Sequence, residues 1–116
     1  MEIEIVGPLE SSIDIDPDTL NLKSKGKWIT AYITLSKGYD VNDIEFDSVL
    51  LEDRIPAAWG GIQDDVFMVK FDRLEVEEMV SPGQVTLTVS GHLKNGIPFS
   101  GSDAIIVINP QEGKNK

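Results

Sequence analysis

Residues 11–35 read S-S-I-D-I-D-P-D-T-L-N-L-K-S-K-G-K-W-I-T-A-Y-I-T-L, and this stretch decides the fold class. Its start alternates polar and apolar residues, which predicts a strand over Ser12–Asp16 with isoleucines on one face and aspartates on the other. Pro17 ends that strand because proline has no N–H to donate to a neighbouring strand. After an irregular loop over Asp18–Gly26, Lys27–Leu35 alternates along its whole length and is the strongest predicted strand.

The rest of the chain repeats this pattern of short strands. Further strands are predicted over Glu2–Val6, Asp43–Leu51, Ile55–Ala58, Val66–Phe71, Gln84–Leu93 and Phe99–Ile108. The last of these is apolar on both faces over Ala104–Ile108, so we expect it to be central. Turns are predicted at Gly60-Gly61 and, as a type I′ hairpin, at Asn95-Gly96. One short helix is predicted over 72–80, capped by Asp72.

Seven or eight short strands with one short helix favour an all-β fold, and in particular a single immunoglobulin-like Greek-key β-sandwich. The chain has 116 residues, which fits one domain. We predict that this domain spans residues 1–110 and that 111–116 form a polar tail.

Composition excludes several functional classes. The chain has 20 acidic and 10 basic residues and a formal charge of −10, which disfavours binding to nucleic acid or to an anionic membrane surface. It has no cysteine, so disulfides, thiolate catalysis and cysteine-based zinc sites are excluded.

The longest apolar run, Ala104–Ile108, is too short to insert into a membrane. The start lacks the pattern of a signal peptide. Two locations therefore stay open, the cell exterior for a domain of a longer exported chain and the cytoplasm for a complete protein.

Catalytic signatures are missing from the sequence. The one histidine, His92, is predicted on the polar face of a strand, and any Ser-His-Asp set would depend on it. No glycine-rich phosphate loop leads from a strand into a helix. We therefore predict that the chain is not an enzyme.

Two groups of aspartates are candidate calcium ligands, since calcium takes about six or more oxygen ligands and closely spaced carboxylates supply several. The first group is a D-x-D-x-D pattern of Asp14, Asp16 and Asp18, and the second is the pair Asp64 and Asp65. The first group does not continue as an EF-hand loop, because the glycine and glutamate that such a loop needs are missing. The alternative is that both groups are solvated carboxylates on a strand face and in a hairpin.

Aromatic residues suggest a second kind of site. Trp28 and Tyr32 share one face of the predicted strand Lys27–Leu35, about 13–14 Å apart, and Trp59 stands beside a predicted turn. If exposed, these rings could stack on sugar rings. The alternative is that they pack against the second sheet or under a loop.

The loop Asp18–Gly26 and its end carry a local positive charge from Lys23, Lys25 and Lys27. Such a cluster on an acidic chain could dock against an acidic face of a neighbouring module. The alternative is a solvated loop.

From Asp14 onward the sequence resembles a repeat found in exported and cell-surface proteins of archaea and bacteria. The segments that carry the resemblance are I-D-I-D-P-D-T-L-N-L-K-S-K-G-K-W-I-T-A-Y-I (13–33), G-Y-D-V-x-D-I (38–44), S-V-L-L (48–51), I-P-A (55–57), M-V-K-F-D-R (68–73), V-T-L-T-V-x-G (85–91) and F-x-G-x-D-x-I (99–105). The resemblance implies an immunoglobulin-like module of no established activity that acts as a spacer beside larger extracellular domains. Many relatives carry a D-x-D-G-D-G loop before M-V-K-F-D-R, and here only Asp64 and Asp65 remain of it.

These observations together predict a non-catalytic structural or interaction module of a surface or secreted protein, with neighbouring domains or surface proteins as partners. The first alternative is a calcium-binding version of the same module, and the second is a carbohydrate-binding module. A calcium ion is the one candidate cofactor. The oligomeric state is left open by the sequence.

Overall fold

A computed structural model describes residues 9–24 and 26–110 of the chain. Its strands are β1 (Leu9–Asp16), β2 (Thr19–Asn21), β3 (Trp28–Leu35), β4 (Leu50–Leu51), β5 (Ile55–Pro56), β6 (Trp59–Gln63), β7 (Val66–Asp72), β8 (Gly83–His92) and β9 (Pro98–Ile108). A short helix, α1 (Arg73–Glu77), follows β7, and two 3-10 turns precede β4 at Val41–Asp43 and Phe46–Ser48. The strand predicted over Glu2–Val6, Lys25 and the tail 111–116 lie outside the described residues.

The strands form one curled, mixed sheet in the order β5-β4-β8-β9-β1-β3-β7-β6, and β2 pairs with β9 beside this path. β1 joins two halves of this order, β5-β4-β8-β9 on one side and β3-β7-β6 on the other. Its residues Leu9 and Glu10 run parallel to β9, and its residues from Ser11 to Asp16 run antiparallel to β3. The all-β prediction is confirmed, and the described residues contain nine strands where seven or eight were predicted for the chain. The pairing shown is one continuous curled sheet, so a sandwich of two separate sheets stays a prediction.

The change of partner along β1 depends on Gly101 of β9. A Cβ placed at Gly101 would lie inside contact distance of the Ser11 backbone oxygen and of the Ile13 side chain. Only glycine lets the two backbones approach this closely without displacing one of them.

Curling brings the inner faces of both halves into one core. Alternate residues of each long strand are buried in it, among them Ile15, Ile29, Ile33, Val69, Phe71, Leu87, Val89, Phe99 and Ile105. The alternation predicted for β1 and β3 is confirmed, because the isoleucines of both strands are buried and their aspartates and threonines are not. β9 is central in the pairing as predicted, but its outer face is open: Ile106 and Ile108 are exposed.

The turn predicted at Gly60-Gly61 is wrong, since both glycines lie inside β6. The chain turns instead at Asp64 and Asp65, which have positive φ angles of 50° and 64° and link the paired residues Gln63 and Val66. Two residues with positive φ are what a type I′ hairpin turn requires, and aspartate tolerates that conformation better than most residues. The glycines serve packing, because a Cβ at Gly60 would lie 2.8 Å from the Phe46 ring.

Two other predictions at chain turns are corrected in detail. The hairpin between β8 and β9 is present, but among its turn residues only Gly96 has a positive φ, 93°, so the turn is not type I′. Gly96 instead donates its N–H to the Leu93 carbonyl at 2.8 Å. The loop predicted over Asp18–Gly26 contains strand β2, because burial of Leu20 draws this segment alongside β9.

The predicted helix is confirmed but is shorter than 72–80. Asp72 caps it as expected, with its carboxylate accepting a hydrogen bond from the Leu74 N–H at 3.1 Å. Val76 is the apolar residue by which the helix packs on the core.

Candidate functional site

The outer face of β3, β7 and β6 carries aromatic and apolar side chains next to a cleft. Cross-strand pairing places Tyr32, Met68 and Gly61 in one row across the three strands, and Lys70 and Trp59 in the next row. All five residues point away from the core, because their strand neighbours, such as Phe67 and Val69, point into it.

This face holds an open cleft of about 360 Å³, which we call the β6 cleft. Its apolar walls come from Tyr32, Trp59, Ile62, Val66 and Met68, and Gln63 and Asp64 stand at its polar end. The cleft is mostly apolar, which is the usual character of a surface where proteins bind ligands.

Trp59 is held in place by two neighbours. Its indole lies against Gly61, where an added Cβ would come within 2.7 Å of the ring. The Lys70 ammonium lies 5.2 Å from the ring centroid, a distance typical of a cation–π interaction. Trp59 as a whole is nevertheless 46% exposed, so apolar surface is available for contact.

β6 is also a sheet edge, because it ends the strand order and, within residues 9–24 and 26–110, pairs with β7 alone. Its five residues, W-G-G-I-Q, contain neither a charge nor a proline. Ile62 stands on this edge and is 43% exposed. The strand at the other end of the order, β5, is two residues long and includes Pro56.

The structure brings together only two of the three predicted aromatic ligands. Tyr32 and Trp59 line the β6 cleft, although the sequence grouped Tyr32 with Trp28. Trp28 lies at the other end of β3 opposite Asp72, on a separate depression of about 410 Å³. Met68 was not among the residues predicted to form this site, although its position between Phe67 and Val69 places it on the outer face. Sugar binding at these rings stays a prediction.

An acidic cluster lies on the far side of Tyr32 from the cleft. Carboxylate oxygens of Asp14, Asp18 and Asp103 all lie within 4.8 Å of one another. Asp103 comes from β9, and its Oδ2 accepts a hydrogen bond from the Ile15 N–H at 2.8 Å. Sequence reasoning missed Asp103, because no local pattern connects it with residues so far away in the chain.

The surroundings of Asp14 shift the pKa of its carboxyl. Partial burial, and then the negative charges of Asp103, Asp18 and Asp16, raise the pKa of the Asp14 carboxyl above its ordinary value. A cation held between the carboxylates would relieve this repulsion. The other predicted ligands, Asp16, Asp64 and Asp65, are not members of the cluster, and the last two form the β6–β7 turn.

Arg73 packs against the lysine-rich loop and is buried, with 7% of its surface exposed. Its guanidinium donates to the Asn21 carbonyl and the Ser24 hydroxyl, each at 3.1 Å, and pairs with Glu77 at 2.9 Å. Lys23 and Lys27 are exposed, so docking through them stays a prediction. Lys25 lies outside the described residues.

His92 is exposed, as expected from its position in the strand, and its ring Nδ1 lies 3.0 Å from the Leu93 carbonyl oxygen. No helix within the described residues is long and apolar enough to cross a membrane. No protein family model, curated protein or solved structure matches this chain. The resemblance to the repeat of exported proteins is neither supported nor contradicted by these comparisons and stays a prediction.

Proposed function

We propose that this chain is a non-catalytic interaction module of a surface or secreted protein, and that it contacts its partner through the β6 cleft. The observation that carries the proposal is the open, mostly apolar cleft of about 360 Å³ between Tyr32 and Trp59. As part of the proposal, its fold is an immunoglobulin-like sandwich, which agrees with the order of the strands on the two sides of β1.

The side chains around the cleft are those that dominate the energetics of protein contacts. Tryptophan and tyrosine carry large apolar surfaces with few rotatable bonds, so burying them on binding is favourable and costs little side-chain entropy. Gly61 and Lys70 position the Trp59 ring in the unbound protein, which further lowers the side-chain entropy that is lost on binding.

The test is site-specific crosslinking in the cells that make the protein. A photoreactive phenylalanine analogue replaces Gln63, which is exposed at the end of the cleft, or Thr86, which is exposed on β8. We expect a discrete crosslinked partner from position 63 and none from position 86. The same products from both positions, or no product from either, would contradict the proposal.

A calcium-binding version of the module is the second candidate. It is favoured by the convergence of Asp14, Asp18 and Asp103, two of which the sequence had already singled out as ligands. Three carboxylates supply part of the oxygen shell that calcium requires, and water or backbone carbonyls commonly complete such shells. Calcium there would stiffen the contact between β1 and β9 and would not take part in a reaction.

A further inference from the structure

We propose that β6 accepts an extended segment of the partner protein as an additional strand, and that this segment alternates apolar residues with lysine or arginine. The inference rests on the proposed function, because it specifies how the β6 cleft and its partner meet. Strand addition at a free sheet edge is a general mode of peptide recognition, in which main-chain hydrogen bonds supply affinity and alternate side chains supply specificity.

The backbone of β6 is suited to this role. Gln63 and Val66 are paired across a two-residue turn, and the residues that flank such a turn exchange backbone hydrogen bonds. Hydrogen-bonded and non-hydrogen-bonded pairs alternate along antiparallel strands, so the next pair, Ile62 and Phe67, exchanges no hydrogen bonds. The N–H and C=O groups of Ile62 therefore point to the free edge. Edges of natural sheets are commonly protected by charges, proline or short length. β5 has this protection in Pro56 and in its two-residue length, and β6 does not.

The side chains next to the edge indicate apolar residues in the added strand. On the outer face, a new strand would lie beside Trp59, Gly61 and Gln63, with the β6 cleft next to it. It would also lie beside Ile62, which alternates with the outward residues of β6, borders the cleft at the sheet edge and is 43% exposed. Neighbouring strands lie about 4.8 Å apart, so side chains on an added strand reach both Trp59 and Ile62.

The negative charge of the molecule favours a positively charged partner segment. Asp64 and Asp65 stand at the end of β6 and are exposed, and the whole chain carries a formal charge of −10. Lysine or arginine in the added strand would meet these carboxylates, which speeds association and fixes register. The same charges oppose pairing of β6 with a second copy of this chain.

The test uses a synthetic probe, a fluorescent peptide of about seven residues in which lysine alternates with valine, matched in length to a typical strand. Two control peptides accompany it: one carries N-methyl groups on alternate residues and cannot donate hydrogen bonds along one edge, and the other has glutamate in place of lysine. Fluorescence anisotropy reports binding to the full chain. We expect the first peptide to bind and both controls to bind at least about tenfold more weakly.

The matched protein variants are Ile62→Lys and Leu74→Lys. Leu74 is an exposed apolar residue on α1, outside the β6 cleft, at 67% exposure, so both variants change net charge equally. Ile62→Lys is expected to weaken binding of the lysine–valine peptide by about tenfold or more, and Leu74→Lys by much less. Trp59→Ala is expected to weaken it as well, because the apolar contact is lost.

Several results would overturn the proposal. They are equal binding of the N-methylated peptide, equal binding by the Ile62→Lys variant, and a dimer of the parent chain that Ile62→Lys dissociates, as measured by light scattering. Binding of oligosaccharide but of neither cationic peptide would show that the cleft serves sugar instead. A partner that still crosslinks at position 63 in an Ile62→Lys background would retain the interaction module and reject strand addition alone.

Discussion

Lys70 and Trp59 are cross-strand partners on β7 and β6, and the Lys70 ammonium lies 5.2 Å from the centre of the Trp59 ring. Both side chains point out of the sheet, away from the core. The indole is therefore positioned by a cation and by the glycine below it while nearly half of the surface of Trp59 stays exposed. A ring that is ordered before binding loses little entropy when a partner covers it.

Lys70→Met keeps most of the alkyl stem and removes the charge over the ring. We expect it to lower the free energy of unfolding by about 0.5–1 kcal/mol, the usual range for an exposed cation–π pair. The measurement is urea denaturation of the variant beside Lys94→Met, which removes an exposed lysine from the β8–β9 turn. Equal losses in the two variants would show that the ammonium does not stabilise the ring.

Gly101→Ala tests the close approach of β1 to β9. The added methyl group would meet the Ser11 backbone oxygen, which belongs to β1 and cannot move without shifting the strand. We expect a loss of about 1–3 kcal/mol in the free energy of unfolding. Gly61→Ala is the comparison, because its methyl group meets the Trp59 ring, whose side chain can rotate away. A larger loss from Gly61→Ala than from Gly101→Ala would contradict this account of the two contacts.

The raised pKa of Asp14 predicts a pH dependence of stability. The folded protein holds a proton on Asp14 at pH values where the unfolded chain has released it, so the folded state binds more protons. Stability from this group is present below the ordinary aspartate pKa of about 3.9 and is lost as pH rises through the higher folded pKa.

Asp14→Asn should therefore gain stability relative to the parent as pH rises through this window, and the gain should level off at neutral pH. Thermal melting in EDTA between about pH 3.5 and 7 measures the difference. Asp47→Asn, which removes an exposed carboxylate from the Phe46–Ser48 turn, is the control for the loss of one negative charge elsewhere on the surface. A constant difference between Asp14→Asn and the parent would contradict a raised pKa of Asp14 in the folded protein.

The second candidate function predicts that calcium raises the melting temperature of the parent, because a ligand held only by the folded state stabilises it. At one hundred times its dissociation constant the gain is about 2.7 kcal/mol, or on the order of 10 °C for a domain of this size. Asp103→Asn should abolish the rise seen between EDTA and millimolar calcium, and magnesium should not reproduce it. Asp64→Asn is the control outside the acidic cluster. No rise in the parent would reject calcium binding, and a rise lost only in Asp64→Asn would move the site to the β6–β7 turn.

The strands were predictable wherever a local pattern decides burial. In β3, the alternation of Ile29, Ala31 and Ile33 with polar and aromatic residues predicts which face meets the core, because side chains on a strand alternate by geometry. Asp72 was predictable as a helix cap for a similar reason, since the hydrogen bond that it accepts comes from a residue two positions away.

The candidate sites depend on contacts between distant parts of the chain. The local sequence predicts a turn at Gly60 and Gly61. In the structure both lie within β6, where the rings of Phe46 and Trp59 leave no room for a Cβ. β7 pairs with both β3 and β6, and so it places Tyr32 and Trp59 on one cleft.

The sequence by itself determined the all-β class, the inward faces of the main strands and the acidic character of the chain. Strand periodicity is a local property and net charge is a sum over residues, so neither depends on the tertiary structure. Only the tertiary structure decided that Asp103 joins Asp14 and Asp18, that Trp28 lies on a different depression from Tyr32 and Trp59, and that β6 ends the strand order of the described sheet. Strand order and register are set by which apolar faces bury each other most completely, and that depends on the whole chain at once.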